Sequence, residues 1–111
     1  MVKKRTLKEI KPVLTKLKSY LIKTYGNRLD RIILFGSFTE NKATQKSDID
    51  IAIILKQKCN LSKEIDRVSD FLNGILLEDG ELVSFYPVSR REISNSNWPL
   101  FANIKEKGLR L

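Results

Sequence analysis

The stretch Leu34–Leu55 reads LFGSFTENKATQKSDIDIAIIL. Two apolar runs bracket a polar loop, and each run carries residues that packing does not ask for. The first ends in Gly36-Ser37; the second opens with Asp48-Ile49-Asp50. In a strand, residues two apart share a face. Ile49, Ile51, Ile53 and Leu55 therefore fall on one side, and Asp48, Asp50, Ala52 and Ile54 on the other. A strand entering a core has no structural need for two carboxylates so placed.

The surrounding pattern alternates helices with strands. Leu7, Ile10, Leu14, Leu17 and Leu21 step by 3, 4, 3 and 4, the period of an amphipathic helix. Thr6 with Glu9 has the form of a capping box. Pro12 would then lie beyond the first turn, so the regular helix either begins nearer Lys8–Lys11 or kinks. The pattern stops at Tyr25-Gly26-Asn27. Arg31–Phe35 reads as a buried strand, Gly36–Ser47 as a loop and Asp48–Leu55 as a second strand. Leu61, Ile65, Val68, Leu72 and Ile75 define a second helix, capped by Asn60 or Ser62. Asp79-Gly80 marks a turn, and ELVSFYPV (Glu81–Val88) a third strand, which Pro87 puts at an edge or ends. SRREISNSN reads as a polar loop, and WPLFANIKEKGLRL as a short helix ending near Gly108. The expected fold is α/β, one domain over residues 1–111 with a small mixed sheet and flanking helices.

Composition narrows the chemistry. The chain has 111 residues, 41% hydrophobic and 31% charged, as in ordinary globular proteins. No apolar run approaches membrane-span length, and the basic N-terminus lacks the apolar block of a signal peptide. One cysteine, Cys59, allows no intrachain disulfide and fits a cytoplasmic setting. With no histidine, histidine acid/base catalysis and His-ligated zinc are excluded. Carboxylates, hydroxyls, Lys/Arg and an oxygen-preferring cation such as Mg²⁺ remain. The net charge of +8 lies wholly in residues 1–31, which hold ten Lys/Arg against Glu9 and Asp30. That segment is either a solvated lysine-rich face or a surface attracting nucleotide, nucleic acid or an acidic partner. It has few aromatics for base stacking, and nucleic acid is the weaker choice.

Gly36-Ser37, ten intervening residues, then Asp48 and Asp50 resemble the signature of the DNA polymerase beta-type nucleotidyltransferase superfamily. The short chain resembles its minimal nucleotidyltransferase branch, down to a tail with Pro99-Leu100, Asn103-Ile104 and Gly108. Physical chemistry independently accounts for these residue types. Two carboxylates on one strand face can share divalent ions that clamp the attacking and leaving oxygens of a phosphoryl displacement. Gly36 lets backbone amides approach a phosphate, and Ser37 can donate to it. A helix beginning after Ser37, as in this superfamily, would add a favourable dipole.

The resemblance implies transfer of AMP from ATP to a hydroxyl, with two Mg²⁺ ions held by Asp48, Asp50 and a third carboxylate. It also implies a helical partner, the HEPN-type toxin (higher eukaryotes and prokaryotes nucleotide-binding), adenylylated on tyrosine by this chain acting as antitoxin. Self-modification at Tyr20, Tyr25 or Tyr86 is a further option. The alternatives are a degenerate antitoxin acting by contact alone and a basic nucleic-acid binder. Two departures bear on the choice. Thr39-Glu40-Asn41 stands where many relatives have Ala-Arg-Gly, so Glu40 removes a positive charge; Asn41 can still take a left-handed turn. For the third carboxylate Glu81 is the candidate, but Ser84, on the opposite strand face, could instead occupy that slot. Parity cannot decide between them without the register.

Overall fold

The alternation in the second apolar run sets the architecture. The computed structural model describes residues 3–95 and 97–111. Strand β1 spans Leu29–Phe35, β2 Ile49–Leu55, β3 Val83–Ser89 and β4 Leu109–Arg110. They form one mixed sheet in the order β3-β2-β1-β4. β2 runs antiparallel to β1 and parallel to β3, and β4 is antiparallel to β1. The parallel pair requires a crossover, which helix α2 (Leu61–Asp79) provides. Pro87 sits on β3, an edge strand, where its missing N–H is tolerated.

Both sheet faces are covered. Helix α1 (Leu7–Tyr25) and α2 place Ile10, Leu14, Leu17, Leu21, Val68 and Ile75 against Ile49, Ile51, Ile53 and Leu55. Each such fully buried aliphatic side chain contributes about 1.5–3 kcal/mol through removal from water. On the opposite face, helices α3 (Arg90–Asn95) and α4 (Pro99–Lys107) bring Ile93 and Ile104 onto Ile33, Phe35, Ala52, Ile54 and Val88. Asp50 shares that second face, beyond the cover of its apolar cluster. Among the described residues no helix is long and apolar enough to cross a membrane.

Several local expectations need correction. α1 is helical from Leu7 with Pro12 inside it; both Pro12 and Lys8 are exposed, so water can satisfy the Lys8 carbonyl that the proline leaves without a donor. The Thr6 side chain makes no capping hydrogen bond: the Glu9 amide donates to the Thr6 carbonyl at 3.1 Å, and the Glu9 carboxylate accepts from the Arg5 guanidinium at 3.3 Å. Asn60, by contrast, caps α2 by accepting from the Lys63 N–H at 3.1 Å. The expected polar loop Ser89–Asn97 holds the end of β3 and α3, while Ser96 lies outside the described residues. The N-terminal cations are partly paired: Lys16 reaches Glu78 and Asp79 at 3.2 and 2.8 Å, and Arg28 reaches Glu64 at 2.7 Å.

Candidate functional site

The site begins where β1 ends. Gly36 has φ +81°, a left-handed conformation that costs a residue with a side chain about 1–2 kcal/mol. A second constraint is steric: a Cβ built on Gly36 would overlap Asp50 Oδ2. The absence of a side chain therefore gives the Asp50 carboxylate its seat.

The chain then makes a tight turn within the expected loop, not the helix that the family resemblance would have added. The Gly36 carbonyl accepts from the Thr39 amide at 3.1 Å, the Glu40 amide at 3.2 Å and the Thr39 hydroxyl at 2.8 Å. Asn41 adopts φ +57°, which ends any helical progression, and the Lys42 amide returns to the Ser37 carbonyl at 3.0 Å. The amides closing this turn are those of Thr39, Glu40 and Lys42, so it leaves those of Ser37 and Phe38 unused. Glu40, which stands where many relatives carry an arginine, is paired with Lys107 of α4 at 3.2 Å.

Ser47 fixes the far end of the loop, accepting from the Thr44 amide at 2.8 Å and donating its own amide to the Thr44 carbonyl at 3.1 Å. The Ile49 amide then bonds to the Leu82 carbonyl at 2.9 Å, which aligns β2 with β3. In the resulting register Asp50 lies between Phe35 of β1 and Ser84 of β3. The Ser84 hydroxyl donates to Asp48 Oδ2 at 3.1 Å. Both aspartates are half-buried. Burial, followed by the charge of Asp48, holds the Asp50 carboxyl above its ordinary range. A cation placed between the two would relieve both effects.

Register also settles where Glu81 goes. It lies before β3 and is nearly buried, with both carboxylate oxygens taken by the Arg5 guanidinium, Oε1 at 3.0 Å from Nη1 and Oε2 bonded to Nη2. Ser84, not Glu81, stands beside the aspartates. Among the described residues no three His, Cys, Asp or Glu side chains gather to hold a metal. The expected triad of Asp48, Asp50 and Glu81 is thus not assembled: Glu81 is the counter-ion of Arg5.

What remains is a site of oxygen donors: two adjacent carboxylates, a serine hydroxyl on one of them, and a glycine turn with unused amides. Two carboxylates suit a hard divalent cation that completes its shell with phosphate oxygens. A cleft of about 590 Å³ lies elsewhere, lined by Arg91, Glu92, Asn95, Trp98 and Phe101, and contains none of these groups.

The family described as polymerase beta, nucleotidyltransferase matches residues 15–108, a span that includes the whole site. The chain belongs to this nucleotidyltransferase family. It is 34% identical over 103 residues to "Putative protein adenylyltransferase MJ0604" of Methanocaldococcus jannaschii, covering 91% of this chain and 92% of that protein. A second protein of that organism, "Putative protein adenylyltransferase MJ0126", is 38% identical over 72 residues, 65% of this chain and 70% of its own. Among solved structures, a toxin-antitoxin crystallised with AMP-PNP shares the fold, with TM-score 0.59 and 17% identity over 86% of this chain and 69% of that one. Within this nucleotidyltransferase, sequence reasoning singled out Gly36, Ser37, Asp48 and Asp50; the fold seats Asp50 against Gly36, with Asp48 close enough to act on its charge and Ser37 next in the chain. It did not single out Arg5, whose partner Glu81 is distant in sequence and which no local pattern marks.

Proposed function

We propose that this nucleotidyltransferase, a single minimal domain over residues 1–111, transfers AMP from ATP to a hydroxyl of a partner protein in a Mg²⁺-dependent reaction. The partner in this reading is a HEPN-type helical toxin, the chain serves as its antitoxin, and the setting is cytoplasmic. The observation that carries the proposal is the seating of Asp50 against Gly36, with Asp48 beside it. That arrangement puts a carboxylate pair next to a glycine turn, which supports the reading. Support comes from the relative named a protein adenylyltransferase, which this chain covers almost end to end, and from the toxin-antitoxin fold neighbour crystallised with AMP-PNP.

In this mechanism Asp48 and Asp50 would hold Mg²⁺, two ions in the full scheme, whose chemistry would be to neutralise the charge of the triphosphate and of the leaving pyrophosphate. The Ser37 hydroxyl and the amides of Ser37 and Phe38 donate to phosphate oxygens. The acceptor hydroxyl attacks the α-phosphorus, forming a new O–P bond as the bond to pyrophosphate breaks. Its proton would pass to the aspartate pair. Ser84 orients Asp48 through its hydrogen bond and supplies no third charge.

The Ser84 position also favours a second reading, an antitoxin that neutralises its partner by contact alone. Incubation of the chain with Mg²⁺, labelled ATP and a co-expressed helical partner separates the two. The enzyme reading expects one AMP per modified hydroxyl on the partner, lost in Asp48→Asn with Asp50→Asn. Tight partner binding with no label transferred by the wild type would establish the contact-only reading.

A further inference from the structure

The residue that pairs with Glu81 has no assigned task of its own. Arg5 precedes α1, yet it touches four residues in three parts of the chain. Its backbone N–H bonds to the Ala43 carbonyl at 2.9 Å. Its guanidinium lies 5.3 Å from the centroid of the Phe38 ring, grips Glu81 with both terminal nitrogens and reaches Glu9 through Nε. The Arg5 side chain is only 16% exposed, and Phe38 and Ala43 are buried.

These contacts converge on the loop that builds the site. Phe38 follows Ser37 directly, and Ala43 lies just before the turn that delivers Asp48. Glu81 neighbours Leu82, whose carbonyl fixes the start of β2. Arg5 thereby ties the loop to the residues that lead into β3, its guanidinium acting at Phe38 and Glu81 and its backbone N–H at Ala43. A planar fork bonded to both oxygens of a carboxylate fixes orientation as well as distance, which an ammonium cannot do. The Phe38 contact adds a cation–π attraction on a second side of the same group.

We infer that Arg5 is a positioning residue for the nucleotide-binding loop, acting through Glu81, Phe38 and Ala43 to hold Gly36-Ser37 in place relative to Asp48 and Asp50. Its bearing on nucleotide affinity rests on the nucleotidyl-transfer reading; its bearing on loop order does not. The clasp acts on binding. Loosening it lets the loop sample arrangements in which its donors no longer face the carboxylate pair, and nucleotide affinity falls with the fraction of competent loop.

The test uses the full chain in four forms: wild type, Arg5→Lys, Glu81→Gln, and the reciprocal swap Arg5→Glu with Glu81→Arg. The first readout is amide hydrogen exchange without metal or nucleotide. Expected is exchange about tenfold faster or more across residues 37–47 in both single variants, unchanged exchange in β2, and partial recovery in the swap. The second readout is the Kd for ATP with Mg²⁺, expected to weaken severalfold in the single variants and recover in the swap. Unchanged loop exchange in Arg5→Lys and Glu81→Gln would overturn the proposal. So would equal acceleration in the loop and in β2, which marks a general stability role. A Glu81→Gln variant with wild-type loop exchange and affinity but no AMP transfer, unrescued by the swap, would return Glu81 to the chemistry. If the wild type binds no ATP, the nucleotidyl-transfer reading fails while the exchange data still judge the clasp.

Discussion

Replacing Gly36 with alanine tests whether the turn is built for the aspartate beside it. Two costs follow from the structure. The first is conformational: φ +81° places a Cβ in the left-handed region at about 1–2 kcal/mol, a fall in Tm of several degrees for a domain of this size. The second is steric, because the new methyl would occupy the position of Asp50 Oδ2. The carboxylate must rotate away, or the turn must open. Gly80 provides an internal control. It has φ +70°, and a Cβ there meets nothing within 4 Å, so Gly80→Ala incurs the conformational cost without touching the site. Both variants should lose about 1–2 kcal/mol in urea unfolding. Only Gly36→Ala should also weaken Mg²⁺-dependent ATP binding, by about tenfold or more, which corresponds to about 1.4 kcal/mol. Wild-type ATP affinity in Gly36→Ala, or an equal loss in Gly80→Ala, would refute the claim that Gly36 seats the carboxylate.

Glu64 supplies a pH test away from the site. Its carboxylate is buried, with Arg28 at 2.7 Å and Arg67 at 3.2 Å. Burial, the largest single influence, raises its pKa, but the Arg28 hydrogen bond, the neighbouring Tyr25 hydroxyl and the two arginine charges together outweigh it, and the net shift is downward from 4.5. A carboxyl lowered by folding contributes stability that is fully present above about pH 4.5 and lost as pH falls through its folded value. Glu64→Gln should therefore cost about 1–2 kcal/mol at pH 7, less than for a fully buried pair because both arginines are half exposed. The deficit should shrink on acidification; a pH-independent deficit in urea titrations would contradict this. Gly74 lies inside α2 with open space around a built Cβ, so Gly74→Ala should stabilise the chain by about 0.5–1 kcal/mol. A lower Tm in that variant would refute the open packing.

The parts of this fold that the sequence disclosed are those where one strong period governs. Ile49, Ile51 and Ile53 alternate without interruption, so the faces of β2, and with them the shared side of Asp48 and Asp50, could be read before any coordinates. α2 was legible for the same reason. α3 was not, because Ile93 is its one buried residue and a single apolar position has no period. β4 is two residues long and pairs only because α4 returns the chain to β1. Glu81 was the natural third acid in a list of strand residues, yet β3 begins two residues later and its register sets Ser84 beside Asp50. That register comes from the α2 crossover and the Ile49–Leu82 hydrogen bond, neither of which has a local sequence signal. Arg5 and Glu81 illustrate the same limit: each looks like an ordinary surface charge until the fold makes them partners. The segment after Gly36 is a turn, as its reading as a loop expects, and Asn41 takes a left-handed conformation there, a capacity visible in the sequence but not its use.

The central claim is that Asp48 and Asp50 are the cation ligands of a nucleotide site, and calorimetric titration of ATP with and without Mg²⁺ tests it most directly. The wild type should bind ATP in the presence of Mg²⁺ and only weakly without it. Asp48→Asn with Asp50→Asn should abolish that metal dependence. Burial and the neighbouring Asp48 charge already hold the Asp50 carboxyl above its ordinary range, so neutralising the pair should not lower the Tm of the metal-free chain. Loss of the Mg²⁺-dependent increment with Tm preserved is the result expected. An undiminished increment in the double variant would contradict the assignment outright, and a collapse of Tm would make the aspartates structural.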